Sequence, residues 1–541
     1  MFGKKAESTK SSQQLPPFFQ ELADAASKSK TTPLSELFSS NPNRATEFCF
    51  RQGSLQFDFS KTHLDQPTLS LFAKLAEESG LLVERQKLLS GQVVNPTENR
   101  PALHTAMRAS SPNEEIQAQH QANSKMAERV RSGEFKGASG TQYKHIIHLG
   151  IGGSALGPQL LLTALGFGRE SEFNTHCVAN VDGHALKPAM DACDPMQTLV
   201  IVASKTFTTT ETLSNAHSLM KWMSEGGVAD PKSQLVAVTA SPEKSEEFGI
   251  AAENILTFPE GLGGRYSIWS SVSLVAMIVL GAPAFESFLR GAEQMDHHFA
   301  TSPVEQNIPI LAAMMDLWYG SSWHAETRAQ FAYDSRLGAL LPYLQQLEME
   351  NNGKNITRTG EQVNWQTSPV LWGGVGTDAQ HAVFQLLHQG THLVPTEFIA
   401  VIKAGHELEE HHRCLLTNCF AQGAALMKGR STDEARDLLP ESTEADTAEL
   451  LAHSKTFSGN RPSTTILLDQ LDAQSLGSLI AFYEHRSFVS GTLWQINVFD
   501  QMGVELGKEL AKSYQEVLET GDFGSLDIDE STRNLLKQTL G

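Results

Sequence analysis

The sequence has little of what marks secreted or nucleic-acid-binding proteins. Only five of its 541 residues are cysteines, an odd number without CxxC spacing, which favours a reducing compartment over a disulfide scaffold. Lysine and arginine total 42 against 62 acidic residues, and the formal charge of −20 would repel a nucleic-acid backbone or an anionic lipid surface. We therefore expect a cytoplasmic protein with no nucleic-acid partner and no membrane partner.

Long apolar runs and metal-binding spacings are also scarce. The stretch from Tyr266 to Phe285 has no charge and could span a bilayer, but four serines and Pro283 interrupt it, so a buried helix is the better interpretation. His406 and His411 are five positions apart, whereas two ligands on one helix face need a spacing of four. The sequence therefore predicts no metal site.

The chain is longer than one hydrophobic core usually serves. Up to about residue 139 it is polar and helix-like. From residue 144 short β-branched runs alternate with helix-like segments, and a second alternation begins near residue 330; such apolar strands are typical of parallel sheets covered on both faces. We predict an α/β protein with two doubly wound parallel-sheet domains, divided into an N-terminal helical segment (1–115), α/β domains (116–300 and 301–515) and a C-terminal tail (516–541).

Two loops that follow predicted strands have compositions suited to an anion. The first, LGIGGSALGP at 149–158, has glycines that let the backbone approach a ligand, and a helix starting near Ala155 would direct N–H groups at it. The second, SKTFTTTE at 204–211, combines five hydroxyl side chains with Lys205 at a helix start, which favours a phosphate monoester. Ligands of open α/β sheets bind at such loops, beyond the carboxyl ends of the strands.

Three later segments supply titratable groups. EMENNGK at 348–354 places Glu350 where a helix ends, because Asn352-Gly353 favours a turn. DAQH at 378–381 opens a helix after a glycine cluster, and DQMGVELGK at 500–508 begins the C-terminal helical region. Taken singly, charged residues in such places are more often structural than catalytic.

In this order, the segments resemble those of the phosphoglucose isomerase family. The resemblance extends over nearly the whole chain and is carried by RPALHTAMR (100–108), LGIGGSALGP (149–158), SKTFTTTET (204–212), GGRYSIWS (263–270), MENNGK (349–354), DAQHAVFQLLHQGTH (378–392), FSGNRPS (457–463) and DQMGVELGK (500–508). It implies two sugar-isomerase domains, a homodimer and no cofactor. It also implies interconversion of glucose 6-phosphate and fructose 6-phosphate through a cis-enediol(ate), in glycolysis and gluconeogenesis.

The resemblance further implies a role for each matching residue. Glu350 corresponds to the carboxylate that moves the proton between two carbons, and Arg265 to the cation that stabilises the enediolate. His381, expected from the partner subunit, helps to open the sugar ring, with Lys508 beside the ring and Glu211 orienting the histidine. The implied substrate and phosphate binders are Gly153, Ser154, Ser204, Lys205, Thr206, Thr209, Gly264 and Gln501.

Three positions depart from the commoner family pattern, without removing a titratable group. Ala155 stands where aspartate is common, Thr210 where glutamine is common and Asn351 where serine is common.

Two other functions compete with the isomerase. A non-catalytic sugar-phosphate sensor would keep the hydroxyl loop without needing the catalytic residues. A nicotinamide-dependent dehydrogenase would use the glycines of the first loop, but Asp182 follows later than the offset of about 20 residues typical of that fingerprint.

Overall fold

A computed structural model describes residues 17–137, 140–168, 172–524 and 526–540. The chain divides into two compact units, Met1–Val498 and Phe499–Gly541. The first unit contains both large β-sheets, and the second contains helices. The N-terminal part of the first unit consists of α1 (Pro17–Ser29), α2 (Leu34–Ser40), α3 (Arg44–Glu47), β1 (Cys49–Gln52), β2 (Leu55–Asp58), α4 (Gln66–Glu78), α5 (Leu81–Leu89), β3 (Val93–Asn95), β4 (Arg100–Pro101), α6 (His104–Met107) and α7 (Glu114–Arg131).

The first large sheet has five parallel strands in the order β6-β5-β7-β8-β9. Two of its three inner strands, β7 and β8, are buried along their whole length, which explains why their sequences are continuous apolar runs. Each strand is connected to the next one along the chain through an α-helix. The elements are β5 (His145–Leu149), α8 (Gly153–Gly166), β6 (Asn174–Val178), α9 (Gly183–Asp191), β7 (Thr198–Ala203), α10 (Thr210–Glu225), β8 (Leu235–Thr239), α11 (Pro242–Phe248) and β9 (Ile255–Thr257).

The second large sheet has the order β1-β2-β13-β12-β10-β11, with β10 to β13 mutually parallel. The hairpin β1-β2 extends it antiparallel to β13, a contribution of the N-terminal segment that its helix-like composition did not indicate. The elements are β10 (Thr327–Tyr333), α15 (Leu340–Gln345), β11 (Val370–Val375), α16 (Gln380–Gln389), β12 (Thr396–Val401), α17 (Glu409–Lys428), α18 (Thr432–Asp437), α19 (Ala445–Ser454) and β13 (Ser463–Leu468), after α12 (Leu274–Leu280), α13 (Ala282–Thr301) and α14 (Ile308–Trp323). The predicted α/β class with two mainly parallel sheets is confirmed.

Helix α20 (Ala473–Leu493) crosses α13 at a distance that only glycine permits. A Cβ atom at Gly477 would stand 2.0 Å from the carbonyl oxygen of Phe288, and one at Gly291 would stand 1.8 Å from that of Gln474. Both carbonyl oxygens belong to helix backbone, so neither can move away without distorting its helix. From Ser475 to Leu493 every residue of α20 is buried.

The second unit contains α21 (Glu505–Thr520) and α22 (Glu530–Leu540). In the described part of the chain, no helix is long and apolar enough to cross a membrane. The uncharged stretch that begins at Tyr266 forms a 3₁₀ helix, further turns and the short buried helix α12 instead.

We predict that Gly477→Ala lowers the free energy of unfolding by about 1–3 kcal/mol, the usual cost of forcing an extra carbon into a packed core. Denaturant unfolding followed by circular dichroism measures the change. Gly320→Ala in α14 is the matched control, because its new Cβ would meet only the Ala325 carbonyl oxygen at 4.0 Å. An equal loss in both variants would contradict the close crossing of α13 and α20.

Candidate active site

Both anion-binding loops predicted from the sequence lie where the winding of the first sheet reverses. Strand β6 pairs with one edge of β5 and β7 pairs with the other edge. The loop after β5 and the loop after β7 therefore emerge side by side at the carboxyl end of the sheet, where α/β proteins bind ligands.

Gly153 brings the first loop against the segment that carries Arg265. A Cβ atom at Gly153 would stand 2.0 Å from the carbonyl oxygen of Gly264 and 2.6 Å from the backbone nitrogen of Arg265. Any side chain at this position would separate the loop from the 3₁₀ helix Gly264–Trp269. Ser154 follows directly, and its carbonyl oxygen accepts a hydrogen bond of 2.7 Å from Nε2 of the buried His148.

The second loop gathers hydroxyl groups at the start of α10. The hydroxyl oxygens of Ser204 and Thr209 are 3.0 Å apart, and those of Thr206 and Thr208 are 2.7 Å apart. Thr209 is the residue that caps α10, so the unpaired N–H groups of the first helical turn lie next to these hydroxyls. Burial, followed by the positive charge of Arg100, lowers the pKa of Lys205. An anion bound beside Lys205 would favour its charged form and relieve this cost.

Glu350 and Arg265 form an ion pair at the centre of the candidate site. Nη1 of Arg265 donates to Oε1 of Glu350 over 3.0 Å, and Nη2 donates to the carbonyl oxygen of Val498 over 2.6 Å. The Arg265 side chain is 1% exposed and that of Glu350 is 23% exposed. A carboxylate that is partly open to ligand, next to a cation with a fixed charge, can take a proton from a substrate and stabilise the oxyanion that results.

Glu350 ends a π-helical turn, Gln346–Glu350, which continues α15. Nε2 of Gln346 donates to Oε2 of Glu350 over 2.8 Å, and the same amide lies beside the backbone of Gly152. Both carboxylate oxygens of Glu350 are thus held, one by Arg265 and one by Gln346. Turns of this rare type occur often at functional sites.

A buried ion pair anchors this π-helical turn to the second sheet. Glu348 is 5% exposed, and both of its oxygens accept from Nη2 of Arg328 on β10, over 2.7 and 2.5 Å. Nη1 of Arg328 also contacts both oxygens of Asp316 on α14, over 2.9 and 2.8 Å. Because planar guanidinium contacts fix direction as well as distance, the backbone that carries Glu350 has little freedom to rotate.

The phosphoglucose isomerase family model matches residues 58–536. The chain belongs to this family. Among similar proteins, glucose-6-phosphate isomerase of Rhizorhabdus wittichii is 48% identical over 512 residues, which cover 94% of this chain and 97% of that protein. The enzyme of the same name from Sphingopyxis alaskensis is 47% identical over 514 residues, 94% of this chain and 96% of that one.

A solved structure agrees with this membership, and a second one shares the fold. The crystal structure of a glucose-6-phosphate isomerase from Chlamydia trachomatis matches with a TM-score of 0.82 and 29% identity, covering 97% of this chain and 98% of that one. A hypothetical protein from Thermus thermophilus, 22% identical, has the same fold, with a TM-score of 0.63 over 85% of this chain and 99% of that one. The family resemblance stated from the sequence is therefore confirmed.

The structure brings together some of the site residues that the family resemblance implies and leaves others apart. Gly153, Gly264, Arg265 and Glu350 come together, and the hydroxyl loop leaves the neighbouring strand. Glu211 lies in the first turn of α10, directly after that loop. His381 is exposed on α16 and lines a separate pocket of about 450 Å³.

Gln501 and Lys508 belong to the second unit, before and within α21. Their roles, like those of the other site residues, stay predictions. In the residues that the structure describes, no group of three or more His, Cys, Asp or Glu side chains is arranged to hold a metal ion.

Sequence reasoning missed two residues that contact the ion pair. Gln346 precedes Glu350 by four positions on the same helix face, a spacing that could have identified it. Asn351 was noted only as a departure from serine, yet its Oδ1 accepts from Nε of Arg265. No local pattern indicated this second contact, because it joins segments that are 86 positions apart.

We predict that Thr209→Val weakens the binding of an alditol 6-phosphate about tenfold, since a hydrogen bond to a charged group contributes about 1.5–3 kcal/mol. Isothermal titration calorimetry measures this affinity. Thr163→Val on α8 is the control, because that exposed hydroxyl donates to the Gln159 carbonyl oxygen of its own helix. Unchanged binding by Thr209→Val would mean that this hydroxyl does not contact the phosphate.

Proposed function

We propose that this protein interconverts D-glucose 6-phosphate and D-fructose 6-phosphate by ring opening and proton transfer through a cis-enediol(ate), in glycolysis and gluconeogenesis. Membership of the phosphoglucose isomerase family supports the reaction. The observation that supports its mechanism in this chain is the Glu350–Arg265 pair, which lies against the glycine loop of the first sheet.

Isomerisation moves a hydrogen between C1 and C2 and needs no net redox change. A base must remove a weakly acidic C–H proton, and the oxygen that becomes negative must meet a positive charge. We assign the base to Glu350, which can return the same proton to the adjacent carbon. Arginine stays protonated at all physiological pH values, so Arg265 supplies a constant charge for the enediolate.

The hydroxyl loop would hold the phosphate away from the reacting carbons. Ser204, Thr206 and Thr209 offer hydroxyl groups, Lys205 offers a positive charge, and α10 offers backbone N–H groups. Ser154 and the backbone of Gly153 and Gly264 would complete this grip from the first loop. Binding energy from this remote group fixes the orientation of the sugar between Glu350 and Arg265.

Ring opening requires a proton to leave the anomeric hydroxyl and another to reach the ring oxygen. We assign this step to His381, because an imidazole can both accept and donate a proton, with Lys508 assisting and Glu211 orienting the histidine. His381 is exposed on α16 and lines a pocket whose lining does not include Glu350 or Arg265. Its supply by the partner subunit of a cytoplasmic homodimer accounts for this position. Gln501 is assigned a substrate contact.

We predict that Glu350→Gln lowers kcat by at least about 10³-fold while the affinity for an alditol 6-phosphate stays within about tenfold, the pattern of a lost transition-state interaction. The value of kcat is obtained from the rate at which glucose 6-phosphate is converted to fructose 6-phosphate. No nucleotide is added in the isomerisation step, and the product is determined by a coupled assay. Glu243→Gln, an exposed glutamate of α11, is the control and should keep full activity. Normal turnover by Glu350→Gln would exclude this carboxylate as the base.

We also predict that mixing two inactive variants restores activity. A dimer of one Glu350→Gln subunit and one His381→Ala subunit contains one site with both native groups only if His381 acts across the interface. The hybrid, purified by two affinity tags after joint refolding or co-expression, should then have about half of the native activity. A hybrid as inactive as its parents would place His381 in the same subunit as its Glu350.

A further inference from the structure

Asn351 is a fully buried amide that connects Arg265 with two neutral hydroxyl groups. It is 0% exposed. Its Oδ1 accepts a hydrogen bond from Nε of Arg265. Its Nδ2 donates to the hydroxyl oxygen of Tyr266 over 2.6 Å and to that of Ser487 over 2.8 Å. The amide thus contacts Arg265 at Nε, whereas Glu350 contacts it at Nη1.

These contacts leave the amide only one suitable orientation. If the Asn351 amide were flipped, its NH2 group would face the N–H of Arg265 Nε, so two donors would oppose each other. The amide oxygen would then lose its hydrogen bond from Arg265. Burial raises the pKa of Tyr266, so its hydroxyl stays protonated and neutral at physiological pH. The two hydroxyl groups therefore fix the amide, and the amide fixes the guanidinium plane at Nε.

The neutrality of this acceptor distinguishes Arg265 from two other buried arginines. Arg108 contacts the carboxylates of Asp296 and Glu484, and Arg328 contacts those of Asp316 and Glu348. Arg265, in contrast, donates from Nε to the neutral amide oxygen of Asn351, besides its contact with the Glu350 carboxylate. A neutral acceptor holds a guanidinium in place without cancelling its positive charge, which a developing oxyanion requires.

We propose that Asn351 is a positioning residue for the isomerisation, because it holds Arg265 through Nε and leaves the charge of the guanidinium available to the enediolate. This inference rests on the proposed function. It assigns to Asn351 both an orienting and an electrostatic effect, each exerted through Arg265. The requirement is for a neutral acceptor, so an aspartate of the same shape should be unable to replace the amide.

The test is Asn351→Asp, which keeps the shape and the acceptor but adds a negative charge. We expect kcat to fall about 100-fold, the scale of one lost oxyanion contact, with KM changed less than about threefold. The new carboxylate should also raise the pKa of its neighbour Glu350, because like charges oppose ionisation. The acidic limb of the pH profile of kcat/KM should therefore move to higher pH.

Two ligands distinguish this effect from structural damage. A hydroxamate that mimics the enediolate carries the charge that Arg265 would meet, whereas an alditol 6-phosphate does not. In Asn351→Asp, the affinity for the hydroxamate should fall in parallel with kcat/KM, while that for the alditol phosphate stays within about threefold. Asn351→Ala adds no charge and should show the same selective loss, by about tenfold, if the aspartate variant does not fold.

Asn352→Asp is the matched control. Asn352 is also buried, at 3% exposed, and its Nδ2 contacts the backbone oxygen and hydroxyl of Ser487. This variant should lose a comparable amount of thermal stability, yet keep the wild-type ratio of hydroxamate to alditol phosphate affinity. Equal losses of both affinities in the Asn351 variants, or a normal kcat in folded Asn351→Asp, would overturn the inference. An inactive wild-type protein would instead reject the proposed function.

Discussion

The ion pair between Glu350 and Arg265 is the contact on which the rest of the site depends. Its two side chains come from segments 85 positions apart and meet at 3.0 Å. Arg265 is almost completely shielded, while the carboxylate keeps a partly open edge. A pair held in this way offers a ligand one acceptor and one fixed positive charge, at a position where little water competes for either.

Two backbone features position Arg265 and Glu350. The 3₁₀ helix that carries Arg265 rests against the first loop because Gly153 has no side chain. The π-helical turn that ends in Glu350 is attached to the second sheet by the Glu348–Arg328 pair. The first sheet thus positions the cation and the second positions the carboxylate, so the site requires both sheets in one unit.

So many buried charges carry a large desolvation cost, because each charge must be removed from water before a partner can compensate it. The network around Arg108 and Asp296 includes Glu484 of α20, and the other network is centred on Arg328 of β10. Such pairs contribute little net stability compared with apolar packing, but removal of one partner is costly. Their directional contacts suit a site in which a carboxylate must keep its orientation.

The sequence by itself determined the fold class and the residue types of the site. Strand runs such as TLVIVAS and QLVAVTA have an apolar pattern that only a strand buried on both faces can use, and they form β7 and β8. The loops that follow strands were recognisable because glycine, hydroxyl groups and Lys205 have few structural uses together. The motif order then indicated the family.

Only the tertiary structure decided which groups meet. The hairpin β1-β2 becomes part of the second sheet by pairing with β13, more than 400 positions later in the chain. The contacts of Arg265 with Asn351 and with Glu350 likewise join distant segments. Local patterns report which face of an element is buried, because periodicity is a property of neighbours in sequence. They carry no information about which side chain from elsewhere completes a hydrogen bond, because this depends on how packed elements lie in space.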